Sequence, residues 1–141
     1  MMLTVLAVFV AGVLVGRFVG SPAVLHAQER ERRVFELRTY TAMEGKHAEL
    51  VARFRKHSVA LLQKHGMTNI GYWVPQDEPA ASTTLIYLLA FSSRSEAKQR
   101  WASFLADPAW HQVRQQSEAD GKLVAKVESV YLDPTDFSEL A

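Results

Sequence analysis

The chain has 141 residues, 16 Lys and Arg against 15 Asp and Glu, and no Cys. That length accommodates one domain with a proper core but not two. A net charge of +1 excludes the basic footprint of a nucleic-acid binder. The lack of Cys excludes a disulfide scaffold, a thiolate zinc site and a thiol nucleophile.

The first residues differ from the rest. Leu3 to Gly16 carries no charged side chain, Arg17 interrupts the run, and Ser21-Pro22 breaks any helix. Ala27 then supplies a small residue before Gln28. Two readings fit residues 1–27: a cleaved export signal, or an uncleaved N-terminal anchor held by residues 3–19. Residues 28–33 form a charged linker, and the domain is expected over 34–138. Cleavage after Ala27 leaves 15 basic and 15 acidic side chains. That balance points to neither nucleic acid nor an anionic membrane surface as partner, so membrane contact would come only through an uncleaved segment. The expected location is outside the cytoplasm, periplasmic or extracellular, or anchored at the inner membrane.

Val34 to Thr41 alternates, with Phe35, Leu37 and Thr39 on one side and Glu36, Arg38 and Tyr40 on the other, and is expected to be the first strand. Lys46 to His65 has helical periodicity, with Leu50, Val51, Phe54, Ser58, Leu61 and Leu62 on one stripe and Gly66 as a left-handed C-cap. Met67 to Val74 reads as a second strand, ended by the loop Pro75 to Pro79. Leu85 to Phe91 is apolar throughout, the pattern of a strand covered on both faces. Ser93 and Glu96 have the spacing of a capping box that opens a helix carrying Ala97, Trp101, Phe104 and Leu105. Asp107-Pro108 starts another helix, which stops at Gly121. Lys122 to Leu132 is the fourth strand, and Phe137 is the one apolar anchor of the tail.

This order predicts an α+β fold, a ferredoxin-like β-α-β-β-α-β sandwich with an antiparallel sheet and helices on one face. An uncovered sheet face with so many apolar residues would be a large exposed patch. Packing of two copies, sheet on sheet, is the expected solution, so a homodimer is the expected assembly.

The chemistry is sparse. Glu36, Arg38 and Tyr40 share one face of the first strand, and Lys126 and Glu128 share one face of the fourth, so neighbouring strands would form a cross-strand charge ladder. Inside a half-closed barrel, Arg38 and Tyr40 would orient an anionic or carbonyl substrate. A mutually satisfied polar ladder at a dimer interface is the plainer reading. His47, His57 and His65 stand about 15 Å and 12 Å apart along one continuous helix, so those three alone hold no metal. His57, at the border of the apolar stripe, is the candidate acid/base; a packed helix histidine is the alternative. Trp73, Trp101 and Trp110 read as core or interface rings. No phosphate loop and no nucleophile elbow occur.

Phe35-Glu36-Leu37-Arg38-Thr39-Tyr40 with Gly45-Lys46 resembles the opening of NIPSNAP-family domains. Gly71-Tyr72-Trp73, Tyr87, Ser92-Ser93-Arg94, Trp101, Phe104, Asp107-Pro108-Ala109-Trp110, Val127 to Leu132 and Pro134 to Phe137 continue the resemblance over about residues 33–138. It implies a dimeric α+β barrel of ferredoxin-like subunits. The wider barrel superfamily includes cofactor-poor monooxygenases, haem degraders and isomerases. The first strand has no Asn, so the haem-degrading constellation is not supported. The expected function is a homodimeric module that binds a small ligand or a protein partner, with Glu36, Arg38, Tyr40, His57, Trp73 and Glu128 around the pocket and no cofactor or metal implied. The alternative is a small barrel enzyme, monooxygenase- or isomerase-like, acting on an aromatic or carbonyl compound. There Arg38 and Tyr40 orient substrate, His57 moves the proton and Trp73 lines the pocket.

Overall fold

A computed structural model describes residues 33–140; the expectations for residues 1–32 lie outside them. In chain order the elements are β1 (Val34–Ala42), α1 (His47–Arg53), a π-helical turn (Phe54–Ser58), α2 (Val59–Lys64), β2 (Thr68–Trp73), a 3-10 turn (Ala80–Ser82), β3 (Thr84–Phe91), α3 (Arg94–Ala106), α4 (Pro108–Ser117) and β4 (Val124–Leu132). The sheet order is β2-β3-β1-β4, and every neighbouring pair is antiparallel. That is the expected ferredoxin-like order, with the first strand beside the fourth.

Local chemistry sets the boundaries. Gly45 and Gly66 take φ of 71° and 76°, which other residues adopt only with strain, and so end β1's turn and α2 where they stand. The Ser93 hydroxyl accepts from the Glu96 N–H at 3.0 Å and opens α3. The Glu96 carboxylate reaches back to Ser92 instead, accepting from its N–H and its hydroxyl at 2.7 Å each. Asp107 accepts from the Ala109 N–H at 2.8 Å and opens α4, with Pro108 at the first helical position.

The core lies between the sheet and the helices. Leu85, Tyr87, Leu89 and Phe91 alternate along β3 and pack with Leu50, Phe54, Leu62, Ala97 and Phe104 from the helices. The register places Arg38 opposite Tyr87 and Tyr40 opposite Leu85, so the polar side of β1 lies under the helices. The other side, with Leu37, Ile86, Leu88, Val130, Leu132 and Trp73, receives no helix among the described residues. The polar set is therefore part of the interior, and the open face is the apolar one. β3 is accordingly fully covered on one side only. The cross-strand ladder does not form: Ser129 and Val127 oppose Arg38 and Tyr40, while Lys126 and Glu128 oppose Thr41 and Thr39 on the open face. A shift of one residue in parity moves a side chain across the sheet. Phe137 is 86% exposed and anchors nothing among the described residues.

Candidate functional site

The charged side of β1 becomes a buried knot. The Glu36 carboxylate, 1% exposed, accepts three hydrogen bonds. One oxygen takes Arg38 Nη1 at 2.7 Å and the Ser129 hydroxyl at 2.6 Å; the other takes Trp101 Nε1 at 2.6 Å. The Arg38 guanidinium lies 4.2 Å from the Trp101 ring centroid, and its Nη2 is 3.5 Å from the Tyr40 hydroxyl. Burial works against the Arg38 charge, but Tyr87, Tyr40 and Glu36 outweigh it and raise its pKa. The Glu36 carboxylate, 2.7 Å from Arg38 Nη1, is the opposite charge that faces it. Partners from β1, β4 and α3 meet at this carboxylate, so the knot ties the adjacent first and fourth strands to the helix above them.

Beside it, Tyr40, Tyr72 and Tyr87 form a ring cluster with Phe54, with centroids 5.1 to 6.0 Å apart. Burial first, then the neighbouring Tyr40, pushes the Tyr87 phenol well above its ordinary pKa, and the same two causes push Tyr72 up to about 12. These phenols are therefore neutral hydrogen-bonding groups across the physiological range.

The rings enclose an interior cavity of about 40 Å³, lined by Tyr40, Arg53, Ser58, Tyr87, Trp101 and Trp110 together with Phe54, Leu62 and Phe104. Among the described residues four buried side-chain atoms have no hydrogen-bond partner, Arg38 Nε, Arg53 Nε, Ser58 Oγ and the Tyr87 hydroxyl, and the last three belong to residues that line this cavity. Ser58 and Phe54 reach the cavity from the π-helical turn, a local widening that often marks functional positions. A cleft of about 310 Å³ between α4 and β4 shares Tyr40, Arg53 and Trp110 as walls. Between them, Arg53 Nη1 donates to Glu118 at 3.0 Å and its guanidinium lies 5.3 Å from the Trp110 ring. The residues carrying these groups line a small inner cavity, and Tyr40, Arg53 and Trp110 stand between it and the outer cleft.

Arg38, Tyr40 and Glu36 come together as the sequence suggested. Trp73 and Glu128 do not join them: Trp73 is half-exposed on the open face, and Glu128 accepts from Lys126 Nζ there at 2.8 Å. His57 is exposed on the outer side of the π turn and lines neither the cavity nor the cleft. His47 instead meets the Thr84 carbonyl at 3.0 Å. Arg53, Ser58 and Tyr87 were not singled out as site residues. Ser58 carries a signal, a hydroxyl within an apolar stripe; Tyr87, inside an apolar run, stands out only as one residue of the family resemblance.

A second constellation escaped the sequence. His65 Nε2 donates to Asp107 at 2.7 Å, and its Nδ1 lies 2.8 Å from the Ser103 hydroxyl. Lys64 Nζ donates to the same Asp107 oxygen at 2.7 Å. Ser103 lies in the last turn of α3, where flanking N–H groups are spent on helix hydrogen bonds and cannot form an oxyanion hole. This cluster is a structural tie between α2 and the α3–α4 corner. Lys64, then His65 and the Ala109 N–H, hold the Asp107 carboxyl well below the ordinary range.

The four-stranded sheet under helices, with a polar pocket between the layers, is the subunit fold of the dimeric α+β barrel proteins. The NIPSNAP family model matches residues 35–139, and the chain belongs to the NIPSNAP family. It is similar to the crystal structure of a NIPSNAP family protein of unknown function from Agrobacterium tumefaciens, with 23% identity over 79% of this chain and 96% of the other, at a TM-score of 0.68. A second Agrobacterium tumefaciens NIPSNAP protein shares 25% identity over 77% of this chain and 99% of the other, at 0.67. SnoaB, a cofactor-independent oxygenase from Streptomyces nogalater, shares the fold at 12% identity over 77% of this chain and 98% of the other, with a TM-score of 0.52. No curated protein matches significantly.

Proposed function

We propose that the chain is a homodimeric small-ligand-binding domain whose ligand lies in the α4–β4 cleft and reaches the cavity beneath the π turn. The observation that carries this reading is that three of the four buried polar atoms without a protein partner belong to residues lining one cavity. Buried polar groups ordinarily find partners, and leaving one unpaired costs roughly 1–3 kcal/mol. A ligand oxygen placed in that cavity would meet Ser58, Tyr87 and Arg53 together and complete their hydrogen bonds. The outer cleft, at about 310 Å³, falls at the lower end of small-molecule pockets.

Dimerisation belongs to the same reading, through the open apolar sheet face, as does export with release of residues 1–27. The enzymatic alternative keeps the ring-lined cavity but loses His57 as its proton carrier, because His57 points to solvent. The test is a two-dimensional NMR titration of the protein with a mixture of small acids, amines and neutral aromatics. Shifts should map to Arg53, Trp110 and Val127, and Val127→Trp, at a 43% exposed position of the cleft wall, should abolish them without unfolding the chain. Shifts confined to other surfaces would refute the reading.

A further inference from the structure

The pocket's chemistry narrows its ligand. This step rests on the reading of the α4–β4 cleft as a ligand site and asks what that site can recognise. The inner cavity and the outer cleft differ in charge, and the difference orders the ligand's ends.

The inner cavity is electrically balanced. Arg38 is paired with Glu36 and Arg53 with Glu118, so each buried guanidinium already has its carboxylate. An ionised group pushed into this space would lose its hydration against no free counter-charge, and the penalty is several kcal/mol. What the cavity offers is one obligate donor, Arg53 Nε, and two hydroxyls that donate or accept, Ser58 and Tyr87. No carboxylate, amide or carbonyl side chain lines it. A donor-rich, charge-balanced pocket fits a neutral oxygen acceptor such as a carbonyl or a phenol.

The outer cleft is not balanced. Glu118 stands between Arg53 and Arg114, with Arg114 Nε 3.3 Å from its second oxygen, so two guanidinium groups share one carboxylate. Lys122 adds a further positive charge that meets no carboxylate among the described residues. Lys126 contributes little, because its ammonium turns to Glu128 on the open face. Between the two ends the wall is apolar: Leu105, Trp110, Val124 and Val127.

We infer that the ligand is a small organic acid with an apolar or aromatic body, its acid group at the cationic rim of the cleft and a neutral carbonyl or phenolic oxygen in the inner cavity. Four related probes separate these features: 4-hydroxyphenylacetate carries both ends, phenylacetate lacks the inner oxygen, 4-hydroxyphenylacetamide lacks the charge, and tyramine reverses it. Titrations of the full chain, followed by NMR shifts at Arg53 and Trp110, should rank 4-hydroxyphenylacetate first. Phenylacetate should bind roughly tenfold more weakly, for want of the inner hydrogen bonds. The amide should also bind more weakly and lose the salt dependence of the acid, and tyramine should bind last.

Ser58→Ala with Tyr87→Phe should erase the preference for the phenol while leaving phenylacetate unchanged; Ser58→Ala alone serves the same comparison should the pair impair folding. Lys122→Ala should shrink the preference for the acid over the amide and spare the preference for the phenol. If all four probes bind alike in the cleft, or if the preference for oxygen or for charge is missing, the ligand class is wrong and the pocket survives. If none shifts the cleft residues, the pocket itself falls, and the ligand class with it.

Discussion

Glu36 shows how one residue ties several parts of the chain together. Its carboxylate accepts from Arg38, Ser129 and Trp101, which come from β1, β4 and α3. Removing it leaves the Arg38 guanidinium, 16% exposed, without its counter-charge. Breaking a buried pair on one side costs roughly 3–5 kcal/mol. Glu36→Ala should therefore lower the unfolding free energy by about that amount, measured by urea denaturation; a loss under about 1 kcal/mol would mean water replaces the knot freely. The alternation of β1 made Glu36, Arg38 and Tyr40 legible as a set. Their partners were not legible, because Ser129 and Trp101 lie 93 and 65 residues away and only the strand register and the α3 rotation bring them in. Sequence alternation says which residues share a face; it does not say which face the helices choose. With apolar residues on both sides of β3, the helices cover the polar side of β1, where the Glu36 carboxylate has all its charge met by Arg38, Ser129 and Trp101.

Among the elements, the first helix departs most from its sequence pattern. The apolar stripe is continuous from Leu50 to Leu62, and nothing in it announces the π turn at Phe54–Ser58. The extra residue per turn turns His57 outward while Phe54 and Ser58 stay buried. The helix starts were legible, since Ser93 and Asp107 cap as their sequence neighbours suggest. The second task of Asp107 was not: it also holds Lys64 and His65, which bind α2 to the α3–α4 corner. Because the folded carboxyl titrates well below its unfolded value, its contribution is full above the ordinary aspartate pKa of about 3.9 and is lost progressively as pH falls from there through the folded value. Asp107→Asn should thus be less stable than the parent at pH 7. The gap between the two unfolding midpoints should be constant above about pH 5 and narrow below pH 4, as urea titrations at pH 7, 5, 3 and 2 would show. A gap that stays constant with pH would assign the tie to neutral hydrogen bonds alone.

At the scale of the molecule, the covered and open faces of one sheet make opposite demands. The covered face hides an ion pair, three phenols and two indoles; the open face presents Trp73, Val130 and Leu132 at 50%, 53% and 40% exposure, with Leu37, Ile86 and Leu88 between them. This apolar face was legible in the run Leu85 to Phe91 and in the Phe35–Leu37 side of β1, although the sequence assigned the charged side to it as well. A second copy placed face to face would bury the same patch on both subunits, the isologous arrangement of a two-fold dimer. Val130 tests it cleanly. In a lone subunit its side chain is wet, so Val130→Lys should change subunit stability by no more than about 0.5 kcal/mol. In a dimer the same ammonium would lie at a desolvated apolar contact and meet its own symmetry mate's surface, a like-charge and desolvation penalty of several kcal/mol. Sedimentation velocity at micromolar concentration should show the parent as a dimer and Val130→Lys as a folded monomer with unchanged circular dichroism. Leu88→Lys, on a central strand, should dissociate it further. A parent that sediments as a monomer would leave the patch open to water and remove the barrel; a variant that stays dimeric would move the interface to another surface.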